Sequence, residues 1–125
     1  VAFLGGSAVT RAGENLEYGQ FSVSLNVKDI QKSYDFYTTL GFEKVIGDLA
    51  QKWIILTNKS SVIGLFEGEL DSNLLTFNPQ DVRTLHRTLK ERGIKFDKEP
   101  EGTSGPAHAK LKDPDGNVIL LDQHN

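Results

Sequence analysis

Few side chains in this sequence can do acid–base or metal chemistry. The 125 residues hold three histidines, His86, His108 and His124, and no cysteine. Thiolate nucleophiles, disulfides and Cys-ligated metals are thereby excluded. His86 lies beside Arg87 in a helical pattern and reads as a surface residue. His108 opens a strand next to a glycine-rich loop, and His124 closes the run Asp122-Gln123-His124. If His108 or His124 met Asp122 or Glu67, the pair would serve as general acid and base or as a non-standard metal site. Whether they meet depends on the elements that carry them.

Those elements are legible from hydrophobic period and turn chemistry. Phe21-Ser22-Val23-Ser24-Leu25-Asn26-Val27 alternates strictly, which predicts a strand with one apolar face and one polar, uncharged face. Asp29 then reads as a helix N-cap, Ile30, Tyr34, Tyr37 and Leu40 recur at helical spacing, and Gly41-Phe42 ends the helix. A short strand over Glu43 to Ile46 follows, then a hairpin of Lys52–Thr57 and Ser61–Glu67. Gly64 inside the second of these strands marks a bulge or a close approach to the backbone.

The order then recurs. Leu74-Leu75-Thr76-Phe77 predicts a strand, Asp81 a cap, Val82, Leu85 and Leu89 a helix, and Gly93-Ile94 its end. Asp29 precedes Gly41 by twelve positions, as Asp81 precedes Gly93, and the copies are offset by 52. Two tandem βαβββ units account for this register. The second copy's strands are expected at Lys95 to Phe96, His108 to Leu111 and Val118 to Leu121. A mobile-looking loop over residues 99–106 and the turn Asp113-Pro114-Asp115-Gly116 lie between them.

Composition narrows the partners. At 38% hydrophobic residues the chain suffices for one domain with a real core. A net charge of −3, with lysines and arginines scattered, offers no basic stripe for nucleic acid or anionic membrane. No apolar run approaches the roughly 20 residues that span a bilayer. Residues 1–19 read as an N-terminal arm or tail, with an apolar start too short for a secretory signal. Cytoplasmic localisation is the default expectation.

The segments Phe21–Ile30, Phe36-Tyr37, Leu40-Gly41-Phe42, Gly93-Ile94 and Asp113–Asn117 together resemble the vicinal oxygen chelate superfamily. That group includes glyoxalase I, extradiol dioxygenases and the fosfomycin- and bleomycin-resistance proteins. The resemblance covers about residues 20–123. It implies an α+β fold in which modules over about 20–70 and 71–125 form a cupped mixed sheet, with helices on the outer face and a ligand inside. It also implies a homodimer. Metal-dependent relatives place His or Glu at four cavity-facing positions, which fall here on Ser22, Gly64, Leu74 and Leu120. None can hold a divalent ion, so no metal or other cofactor is expected.

What remains is a concave, largely apolar site for a small molecule. Alternation assigns Ser22, Ser24, Asn26, Trp53, Phe66, Thr76, Leu120 and Asp122 to its lining, with Gly64 opening room at the floor. Trp53 and Phe66 could stack a planar or cationic ligand with Asp122 as counter-charge, or could pack on each other and close the cup. Two functions follow. One is a metal-free protein binding a small molecule, aromatic or otherwise, as in the bleomycin-resistance relatives. The other is a lyase, isomerase or dioxygenase of the glyoxalase type with ligands relocated to Glu67, His108, Asp122 and His124.

Overall fold

A computed structural model of the chain describes residues 16–125. Of the arm expected over 1–19, residues 1–15 lie outside the described part. Both predicted helices form. α1 (Ile30–Thr39) is capped by Asp29, whose carboxylate accepts the Lys32 N–H at 3.2 Å, and α2 (Val82–Glu91) by Asp81, which accepts the Thr84 N–H at 3.0 Å. Both end the same way. Gly41 and Gly93 take φ of 106° and 90°, open to residues without a Cβ, and Phe42 and Ile94 donate back to Tyr37 and Leu89, each at 3.0 Å.

Seven strands make one curved open sheet in the order β2-β3-β4-β1-β5-β7-β6. They are β1 (Gln20–Val27), β2 (Glu43–Asp48), β3 (Trp53–Asn58), β4 (Ser61–Glu67), β5 (Leu74–Asn78), β6 (Ala107–Lys112) and β7 (Val118–Gln123). Within the modules β1 runs parallel to β4 and β5 parallel to β7. The modules join inside this one chain through antiparallel β1 and β5. Val23 pairs there with Leu75, its own counterpart at the offset of 52, so a local twofold axis passes through that pair.

The strand expected at Lys95–Phe96 does not form. The chain meets the β6 edge through the bridge Lys98↔Lys110 and the Asp97 N–H, which donates to the Lys110 carbonyl at 2.8 Å, without a ladder of its own. The reason lies on α2. Phe96 meets His86 edge-on at 4.7 Å and Glu99 binds Lys90 at 2.9 Å, which draws this segment toward the helix. The loop that follows is anchored, contrary to its mobile-looking composition. The Arg83 guanidinium donates to the carbonyls of Glu101, Gly102, Ser104 and Gly105 at 2.6–3.2 Å.

Both helices lie against one face of the sheet, and each closes its own core. Ile30 packs with Ile54, Leu56 and Leu65, while Val82, Leu85 and Leu89 pack with Ala109, Leu111 and Leu121. Ile54, Leu56 and Leu65 are fully buried, each worth roughly 1.5–3 kcal/mol of transfer from water. The end of the arm docks on the second cluster, with Tyr18 edge-on to Phe77 at 5.1 Å and Gly19 bridging Asn78. Burial raises the Tyr18 phenol above its ordinary pKa, against a smaller opposing pull from Arg92. No helix among the described residues is long and apolar enough to cross a membrane.

Candidate functional site

The helix-free face carries the residues that alternation assigns to the cup. Cross-strand partners share a face, and the register links Ser22 with Thr76, Thr76 with Leu120, Ser24 with Gly64, Asn26 with Phe66, and Phe66 with Trp53. Asp122, two residues beyond Leu120 on β7, falls on the same side. The face thus gathers all eight: seven fall in three groups, and Asn26 stands exposed near the end of β1, where its N–H donates to Asn73 Oδ1 at 2.8 Å.

The first group sits astride the local twofold axis. The hydroxyls of Ser24 and Thr76 lie 3.0 Å apart and hydrogen-bond to each other. Both residues are buried, at 7% and 6% exposure. Ser22, Leu74 and Leu120 surround them through the pairings Ser22↔Thr76, Ser24↔Leu74 and Thr76↔Leu120. Ser22, Gly64, Leu74 and Leu120, the positions that the resemblance would assign to metal ligands, are therefore neighbours on one face, and they carry a hydroxyl, a glycine and two leucines. A divalent cation in an open site needs about three N or O donors from the protein, and these residues do not fit one. Among the described residues no three His, Asp or Glu side chains come together.

The second group, on the first module, is fuller than expected. A Cβ placed on Gly64 would lie 2.8 Å from Cε1 of Phe66 and 3.1 Å from Cδ1 of Ile55. The missing side chain makes room for the Phe66 ring, and does not open the floor to a ligand. Trp53 pairs with Phe66 in register, yet no ring contact joins them among the described residues. The indole instead leans over Gly47, where a Cβ would meet its Cε3 at 3.2 Å.

The third group lies at the far end of β7. His124 Nε2 stands 3.3 Å from Asp122 Oδ2 and 3.2 Å from Asn78 Nδ2, with the imidazole largely in solvent. His108 is the register partner of Asp122 and is exposed. Glu67 is not with them. It ends β4, where its carboxylate accepts the Ile30 N–H at 2.9 Å and meets Lys52 at 3.1 Å. The Ile30 N–H first and then the Lys52 ammonium hold that carboxyl below the usual glutamate range. The set Glu67, His108, Asp122 and His124 is thus split between a helix cap and an exposed strand end. His86 is not at the surface either. Its side chain is 14% exposed and 3.6 Å from Glu99, with Nε2 buried and lacking a hydrogen-bond partner.

Sequence reasoning missed Lys110 and Lys112. On β6 they alternate with Ala109 and Leu111 of the core, and they pair with Leu120 and Val118. Their side chains therefore enter the helix-free face. The alternation in Ala107-His108-Ala109-Lys110-Leu111-Lys112 was the available signal. Together with Leu74, Val118 and the loop after β4 they border a cavity of about 390 Å³.

Comparison with known proteins agrees with this architecture. The profile described as the Glyoxalase/Bleomycin resistance protein/Dioxygenase superfamily matches residues 19–121, and the chain belongs to that superfamily. No curated protein matches its sequence. Among solved structures it resembles a glyoxalase/bleomycin resistance protein/dioxygenase superfamily member from Vibrio splendidus 12B01, with TM-score 0.64 and 18% identity over 83% of this chain and 97% of that one. Methylmalonyl-CoA epimerase from Mycobacterium tuberculosis gives TM-score 0.60 and 17% identity over 98% and 93%. Homoprotocatechuate 2,3-dioxygenase from B. fuscum gives TM-score 0.56 and 18% identity over 88% of this chain and 33% of that one. At such identities the likeness concerns the fold.

Proposed function

We propose that this chain binds a small organic molecule on the helix-free face of its sheet without a metal ion. The observation that carries this reading is the quartet Ser22, Gly64, Leu74 and Leu120 on one face around the twofold axis, with no donor able to replace another. Without a Lewis acid the oxyanion chemistry of metal-dependent relatives lacks its stabilising charge. An apolar wall with one buried hydroxyl pair suits recognition. The proposal keeps Asn26, Trp53, Phe66 and Asp122 in the lining, and it includes a homodimer.

Two measurements test it. Protein purified without chelator should contain zinc, nickel, manganese and iron well below one equivalent. Titration with β-naphthol, a neutral planar probe, should move the backbone amide resonances of β1, β4, β5 and β7 on the helix-free face. A stoichiometric, tightly held metal would overturn the reading, and so would amide shifts confined to the helix face.

A further inference from the structure

The cavity of about 390 Å³ beside Leu74 is lined by charged side chains of both signs together with the apolar Leu74 and Val118. Lys110 stands on one side, half-buried, and its ammonium has no hydrogen-bond or ion-pair partner among the described residues. Its neighbour Lys112 is already compensated by Asp97, with Nζ and Oδ2 3.7 Å apart. The loop after β4 brings Glu69 and Asp71 to the same cavity, exposed and without ion pairs among the described residues, and Leu74 and Val118 line it as well. A lysine without a counter-charge among the described residues is free to meet an anionic group of a ligand.

We infer that the ligand of this face is a small amphoteric molecule, an amino-acid-like compound whose carboxylate meets Lys110 and whose ammonium faces Glu69 and Asp71, with an apolar body over Leu74 and Val118. The inference rests on the binding reading above and adds the ligand's class. A single ammonium without an arginine fork or a cradle of backbone N–H groups suits a singly charged carboxylate better than a phosphate. The carboxylate end contributes more than the ammonium end, because Lys110 is half-buried and the loop carboxylates are exposed and screened. This moves the charged end of the site from Asp122, on the outlying end of β7, to β6.

Probes with one apolar chain and different ends separate the contributions. Amide NMR titrations of the full chain would use ε-aminocaproate, caproate, hexylamine, hexanol and hexyl phosphate. The expected order is ε-aminocaproate tightest, then caproate, with hexanol and hexylamine at least about tenfold weaker than caproate. Lys110→Gln should erase the preference of both carboxylates over hexanol. Glu69→Gln with Asp71→Asn, both in an exposed loop, should reduce ε-aminocaproate to the level of caproate. If hexanol binds this face as well as caproate, or hexyl phosphate binds more tightly than caproate, or Lys110→Gln keeps the preference, the ligand class is overturned while the binding reading stands. If neither these probes nor β-naphthol shift any residue of the helix-free face, both fail.

Discussion

At the scale of single residues, Glu67 shows how a chemically capable group can be committed to structure. Its carboxylate accepts from Ile30 at the start of α1 and pairs with Lys52, and both contacts favour the charged form. Its folded pKa is therefore below its unfolded value. The stabilisation is present above the unfolded pKa and is lost as pH falls through the folded one. Glu67→Gln should thus lower the urea midpoint at about pH 7, and the gap to wild type should narrow as the pH falls below the ordinary glutamate range. A gap that persists in acid would mean that packing dominates. Sequence could not reveal this role, because it depends on β4 ending beside a helix that begins 37 positions earlier. Local alternation, by contrast, placed all eight candidate residues on one face, as the strand register has them. It failed to anticipate that Phe66 fills the space over Gly64, since ring placement is a matter of packing.

At the scale of elements, the caps and stops were legible because Asp29, Gly41, Asp81 and Gly93 act on their immediate neighbours. A second layer of capping was not. Gln123 closes β7 and accepts the Val82 N–H at 2.8 Å, as Glu67 closes β4 and accepts from Ile30. The two modules therefore share one device, a strand-end acceptor on the first N–H of the helix. Gln123 is buried and also donates to the Gly105 carbonyl at 3.2 Å, next to the loop that Arg83 gathers. Gln123→Leu leaves the Val82 N–H without that acceptor and should cost about 1–3 kcal/mol in urea denaturation. Arg83→Ala removes the guanidinium that holds four carbonyls and should raise amide exchange across 101–106 far more than in β7. Equal protection in that variant would show that the loop is ordered by other contacts. The missing strand at Lys95–Phe96 has the same lesson, because Phe96 and Glu99 answer to α2 and not to their own β-propensity.

At the scale of the molecule, the doubling that the sequence shows as an offset of 52 becomes a single sheet built across Val23 and Leu75, so both modules complete their pairing without a second chain. A homodimer, as proposed, must then use surface left over from that closure. The two sheet edges differ. β6 is bridged by Lys98, whereas β2 forms the other edge with Val45 and Ile46 exposed at 58% and 57%, and just before it Phe36 on α1 and Leu40 at its C-cap are exposed at 58% and 57%. An edge strand with unpaired backbone groups and exposed apolar side chains favours pairing with another strand. The dimer is therefore expected at β2, remote from the cavity beside Lys110, and sedimentation velocity should show a two-chain species. Val45→Lys with Ile46→Lys puts like charges on both copies of that edge and should yield a monomer, with amide shifts of the helix-free face on probe binding unchanged. A dimer that survives both lysines would move the interface elsewhere, and a monomeric wild type would remove it from the proposal.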